Sequence, residues 1–256
     1  MTNHPMSESQ RIRVGVGGWT FEPWRNNFFP AGLAHSRELA YASRQLTAIE
    51  VNGTYYSTFK PATFAKWRDE TPDDFVFSLK ANRFATNRRE LATAGESVQR
   101  FVNSGITELG SKLGPIVWQF MPTKVFDPAD LEAFLQLLPH AVGGCPLRHV
   151  LDVRHESFLS PAFLELTRRH GCATVHADSE RYPEIIDAAG DLAYLRLMRS
   201  DSSCATGYPV EDLDKWARGA REWVKRGPTH QVFIYFISGA KERAPAAAME
   251  LIRRLA

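Results

Sequence analysis

His149-Val150-Leu151-Asp152-Val153-Arg154-His155-Glu156 decides the fold, because from Leu151 onward apolar and charged side chains alternate one by one. A period of two is the mark of a β-strand, whose successive side chains point to opposite faces. Leu151 and Val153 form one face, and Asp152 and Arg154 form the other. The stretch is one of eight runs rich in β-branched and aromatic residues, at 13–19, 48–55, 75–80, 115–120, 149–154, 173–178, 192–198 and 232–238. Stretches of helical period lie between most of them.

Strands that alternate with helices pair in parallel, and eight of them suggest a sheet closed on itself. The expected fold is a single α/β domain, a (β/α)8 TIM-type barrel of eight parallel strands. An open doubly wound sheet is the competitor. It usually has fewer strands and a glycine-rich phosphate turn, and Gly15-Val16-Gly17-Gly18 lacks the full G-x-G-x-x-G spacing. The 256 residues match the roughly 250 typical of one barrel. Residues 1–10 are polar and read as a flexible N-terminus, with 11–256 as the barrel domain.

Helix punctuation agrees. Asp127-Pro128 and Ser160-Pro161 each put an N-cap residue before a proline at the first helical position. Gly171 and Gly227 close helices. Val98, Phe101, Val102, Ile106 and Leu109 recur at helical steps, as do Leu213, Trp216, Ala217, Ala220 and Trp223. Residues 179–190 leave room for only a rudimentary sixth helix.

In a barrel one parity of each strand faces the helices and the other faces the axis. Assigning the apolar parity to the helices turns Glu50 and Asn52 inward on the second strand, Ser78 and Lys80 on the third, and Gln119 on the fourth. It likewise turns Asp152 and Arg154 inward on the fifth strand, His176 and Asp178 on the sixth, Tyr194 and Arg196 on the seventh, and Tyr235 on the eighth. His155 and Glu156 open the loop after the fifth strand. Ordinary barrels fill their interiors with branched apolar residues, so this density of charge late in the strands marks the C-terminal mouth, where barrel enzymes keep their chemistry. The bland alternative is a satisfied ionic layer that only fills the barrel. Buried ion pairs are poor stabilisers, which argues for selection on something else.

Composition bounds the partners. With 44% hydrophobic and 23% charged residues and a net charge of +2, bulk electrostatics point to neither nucleic acid nor a membrane. No apolar run approaches the roughly eighteen residues of a membrane span, and residues 1–10 do not resemble a signal peptide, so a cytoplasmic location is expected. Cys145, Cys172 and Cys204 are odd in number without C-x-x-C spacing, which speaks against a disulfide framework or structural zinc. Oligomeric state stays open.

The chain resembles the YecE-like family, catalogued as a domain of unknown function, number 72. The resemblance is carried by Gly17-Gly18-Trp19, Ile49-Glu50-Val51-Asn52 with Thr54-Tyr55-Tyr56, Trp67 with Thr71-Pro72, and Phe77-Ser78-Leu79-Lys80. Leu113-Gly114-Pro115 with Gln119-Phe120, and Val153-Arg154-His155, complete it. It spans nearly the whole chain and implies a (β/α)8 barrel without an established activity. One departure stands out: the resemblance implies two asparagines after the aromatic pair of the last strand, where this chain has Ile237-Ser238 after Tyr235-Phe236.

For chemistry, Glu50, Asp152, His176 and Asp178 are the candidate acids and bases. Trp19, Asn52, Tyr55, Lys80, Gln119, Arg154, His155, Arg196 and Tyr235 are the candidate substrate contacts. The favoured reading is an enzyme acting on a small molecule that carries phosphate or carboxylate, without a cofactor. A divalent metal on Glu50, Asp152, His176 and Asp178 would instead suit a phosphodiester or nucleic-acid hydrolase, although Lys80, Arg154 and Arg196 would repel it. A non-catalytic ligand-binding protein is the third reading. Two loops add to these candidates. The aromatic segment 19–30 either caps the mouth or forms a local cluster, and 82–89, with Arg83, Arg88 and Arg89 beside Phe84, could grip phosphates.

Overall fold

Each of the eight β-rich runs becomes a strand in the structure, a computed structural model that describes residues 7–256. They are β1 (Ile12–Gly17), β2 (Ala48–Val51), β3 (Val76–Lys80), β4 (Leu113–Gln119), β5 (His149–Asp152), β6 (Ala173–Asp178), β7 (Leu192–Leu197) and β8 (Gln231–Phe236). Every strand pairs in parallel with its neighbours in sequence, and β8 pairs back to β1, so the sheet closes into a barrel. A two-stranded hairpin, Ala141–Val142 against Cys145–Pro146, precedes β5.

The main helices of the outer layer are α1 (Glu38–Gln45), α2 (Pro61–Glu70), α3 (Gly95–Val102), α4 (Pro128–Gln136), α5 (Pro161–Arg169), α6 (Val210–Val224) and α7 (Ala244–Leu255). Asp127 caps α4 as its sequence implies, accepting from the amides of Ala129 and Asp130 ahead of a proline in the first turn. Ser160 makes no such bond, although Pro161 still starts α5. Gly171 follows α5 in the left-handed region, whereas Gly227 lies three residues beyond α6 and shows no positive φ. The stripe 98–109 is two pieces rather than one helix: α3 stops at Val102, and Gly105 at φ 103° redirects the chain into a 3-10 segment. Where a rudimentary sixth helix is expected, no helix separates β6 from β7.

Two apolar compartments result. Ile49, Val51, Phe77, Leu79, Trp118, Leu151 and Val153 face the helices. Ala48, Val117, Val150, Val175, Ala177, Tyr194, Phe233 and Tyr235 fill the lumen. Beside them β1 runs so close to β2 that a side chain at Gly15 would meet the Ala48 carbonyl oxygen at 1.8 Å. Of the stretch expected to be flexible, residues 1–6 lie outside the described residues, while Glu8–Arg11 form a helical turn closed by a Ser7–Gln10 capping box. Among the described residues no helix is long and apolar enough to cross a membrane.

Candidate active site

Parity brings Glu50, Lys80, Gln119, Asp152, Arg154 and Arg196 to one place, near the C-terminal ends of β2, β3, β4, β5 and β7. Arg196 is the centre. Its Nη2 donates to Glu50 Oε1 at 3.0 Å, and its Nη1 donates to Asp152 Oδ2 and, at 3.4 Å, to Gln119 Oε1. Arg154 Nη2 donates to Gln119 Oε1 at 2.7 Å and to Asp152 Oδ2 at 3.1 Å. Tyr194 Oη donates to Glu50 Oε2 at 2.7 Å. Glu50, Asp152 and Arg196 are 0–2% exposed, so these charges are held almost wholly out of water. Burial alone would lower the pKa of Arg196, but Glu50 and Asp152 outweigh it and raise it. Burial, reinforced by Glu50, lifts the Tyr194 phenol well above its ordinary value.

Lys80 stands apart. Its Nζ sits 4.2 Å over the Tyr55 ring, and Tyr55 Oη is fixed by donating to Asn87 Oδ1. Burial and the Arg196 charge outweigh Glu50 and Asp152, lowering the Lys80 ammonium to about 8. Tyr235 is inward as expected, where its hydroxyl shares a 2.7 Å hydrogen bond with Ser78. Asn52 follows β2 on the same parity, and its amide Nδ2 would lie 2.9 Å from any side chain at Gly17.

Four expected site residues sit elsewhere. His176 and Asp178 face the helix layer, because the register pairs them with Leu195 and Leu197 while Val175 and Ala177 pair with the inward Tyr194 and Arg196. Both parities of β6 are compatible with burial, and the small apolar one takes the lumen. His176 binds Glu184 at 2.7 Å and meets the Trp216 ring of α6. Asp178 accepts from Tyr208 Oη and pairs with Arg199, each at 3.1 Å. His155 caps the turn Glu156–Phe158, accepting from the Ser157 amide. Trp19 packs edge-on against Trp67 and Phe77 in the outer layer, touching a rim cavity of about 470 Å³ that Asn52 also lines.

The two loops differ in how far their side chains are engaged within the protein. Trp24 gathers Phe21, Phe28 and Phe29 and donates its indole N–H to the Lys241 carbonyl, which closes the segment as a local cluster. Arg88 is engaged by the Phe84 carbonyl, Thr93 and Ser97, leaving Arg83 and Phe84 at the surface. Among the described residues no group of three or more His, Cys, Asp and Glu is placed to hold a metal.

Sequence periodicity gave no sign of Tyr182. It lies in the irregular connection 179–191, its ring is 4.4 Å from the Arg154 guanidinium, and its hydroxyl accepts from Arg154 Nη1 at 3.2 Å. Tyr182 also lines a cavity of about 690 Å³ between the loops that follow β6, β7 and β8. The charge network does not line that cavity; Tyr182, on its wall and in contact with Arg154, is the link between the two. On its wall Ser238 adopts φ 71°, a region that asparagine tolerates better than serine. One of the two asparagines implied by the resemblance therefore has a backbone reason to stand there.

The family model described as "Protein of unknown function DUF72" matches residues 13–256. The chain is 26% identical over 162 residues to the UPF0759 protein YunF of Bacillus subtilis (strain 168), covering 61% of this chain and 55% of that protein. It is also 26% identical over 160 residues to the UPF0759 protein YecE of Escherichia coli (strain K12), covering 62% and 54%. The matched region thus spans about half the length of these relatives. Among solved structures, the DUF72 family protein TM1631 of Thermotoga maritima MSB8 superposes with a TM-score of 0.74 at 20% identity, covering 95% of this chain and 98% of that one. A DUF72 family protein of Enterococcus faecalis V583 gives 0.73 at 16% identity, covering 95% of each. These likenesses concern the fold.

Proposed function

Since the chain belongs to the DUF72 family, whose description specifies no reaction, we propose from the site alone that the barrel mouth is the active site of an enzyme acting by acid-base chemistry on a small molecule with a phosphate or carboxylate. The observation that carries the reading is the charge balance. Three cations, Lys80, Arg154 and Arg196, share the mouth with two carboxylates, Glu50 and Asp152, and Arg196 binds both carboxylates. Arg154 shares Asp152 with Arg196, so one net positive charge is left over, and in a concave site of low dielectric such an excess attracts anions. Arg154 is the more accessible guanidinium, with a side chain 14% exposed against 3% for Arg196. Its partner Tyr182 lines a cavity of about 690 Å³ that offers room for a ligand. By analogy of fold, the loops after the seventh and eighth strands are where barrels often hold phosphate.

A metal-assisted reaction draws less support, since Arg196 already holds an oxygen of each inward carboxylate. The test is a calorimetric titration with inorganic phosphate of wild type, Arg154→Gln and Lys80→Met. Saturable binding is expected, weakened about 10- to 100-fold in Arg154→Gln, the scale of a charge-assisted hydrogen bond. Absence of saturation, or indifference to both substitutions, would sink the reading.

A further inference from the structure

Among the described residues two lysines are buried, and their surroundings differ in kind. Lys112, 5% exposed, donates through Nζ to the carbonyls of Arg68 and Thr71 and contacts Thr71 Oγ1, as a structural buried ammonium must. Lys80, 6% exposed, makes no hydrogen bond or ion pair through Nζ to any described residue; its contact is the face of Tyr55. The carboxylates that might pair with it, Glu50 and Asp152, are clamped by Arg196, with Tyr194 and Arg154 adding further donors. Its backbone is pinned, because Thr54 Oγ1 donates to the Lys80 carbonyl at 2.7 Å. A long amine is thus fixed at its base, at the late end of β3, and left with the Tyr55 ring but, among the described residues, no hydrogen-bond or ion-pair partner at its tip.

We propose that Lys80 is the nucleophile of this site and takes up an aldehyde or ketone bearing phosphate or carboxylate as a protonated imine on Nζ. The inference rests on the anion-site reading above and names its substrate class. The neutral amine adds to the carbonyl carbon, so that an N–C bond forms while the carbonyl π pair moves to oxygen. A proton passes from nitrogen to that oxygen, one more is taken up from solvent, and the oxygen leaves as water. The resulting C=N–H cation lies where the ammonium lay, over the Tyr55 ring, with Glu50 and Asp152 attracting it and Arg196 and Arg154 opposing. Such a cation draws electrons from the neighbouring carbon, which suits proton removal or carbon–carbon cleavage there. The requirement for free amine is met by the same surroundings: with a pKa of about 8, Lys80 holds on the order of 100-fold more neutral amine at pH 7 than a solvated lysine.

Borohydride trapping tests this on the full chain. The protein is incubated with pyruvate, with dihydroxyacetone phosphate, or with acetone as the uncharged control. Sodium borohydride then adds hydride to any imine carbon and leaves a stable secondary amine, located by peptide mass spectrometry. One reduced probe is expected on Lys80 from at least one anionic probe, at ~10-fold lower concentration than acetone requires. Labelling of Lys80 should rise with pH and level off above about 8, while exposed lysines continue to rise. Lys80→Arg, which keeps the positive charge, should lose this label, with the remaining lysines reacting as in wild type. Lys80 no more reactive than surface lysines overturns the proposal, and equal labelling by acetone overturns the anionic class. Phosphate titration of the same preparation separates the two readings. Saturable phosphate binding with Lys80 unlabelled removes the imine and leaves the anion site, whereas trapping without phosphate binding removes the anion site.

Discussion

Asp152 Oδ2 accepts hydrogen bonds from Arg196 and Arg154 together, so one oxygen holds two guanidiniums in place. Removing that carboxylate strands two cations away from water. Asp152→Ala should therefore destabilise the protein by about 3–5 kcal/mol, read from urea unfolding, and a variant as stable as wild type would refute a structural role for the pair. The residues of this network were legible because strand parity is strict: once Leu151 and Val153 belong to the helices, Asp152 has only the lumen. The same rule misplaced His176 and Asp178, since Val175 and Ala177 are small enough for the lumen and apolar enough for the helix layer. Tyr182 was illegible for another reason. An irregular connection has no period, and only the third dimension brings that ring onto Arg154.

Strand β5 carries a second constraint at its opposite end. His149 Nδ1 lies 3.0 Å from the Trp118 indole nitrogen of β4, which can only donate, so Nδ1 accepts and the proton sits on Nε2, 2.8 Å from the Pro139 carbonyl. Burial, against the favourable Pro139 bond, lowers the imidazole from 6.5 to about 4. The unfolded chain takes up this proton first as pH falls. The stabilisation is thus complete above about 6.5, declines between 6.5 and 4, and is level below; its size is roughly 3 kcal/mol. Residue-resolved NMR titration should find His149 neutral at pH 5.5, and an ordinary midpoint would refute the assignment. Strands of this kind were readable in position to within a few residues because branched and aromatic runs are distinctive. The break at Gly105 was not, since an apolar stripe continues across it on a new axis.

At the scale of the whole molecule, the wall of the barrel is uneven. Residues 179–191 run without a helix between β6 and β7, and within them the Arg181 and Ala189 amides bond to the side chains of Ser179 and Asp187 rather than to a backbone ladder. Amides without ladder partners open at low free energy. Hydrogen exchange followed by mass spectrometry should show 180–190 exchanging faster than the flanking strands, and equal protection would count against this account. The network at the mouth acts in the opposite sense. An eight-stranded tube held only by its ladders can flatten into an oval without breaking one of them. Arg196 is the hub of a spoked wheel, reaching from β7 to Glu50 on β2, Gln119 on β4 and Asp152 on β5. Spokes of fixed length in three directions keep the bore round, and a round bore keeps the Lys80 side chain at a fixed distance from the ring it faces.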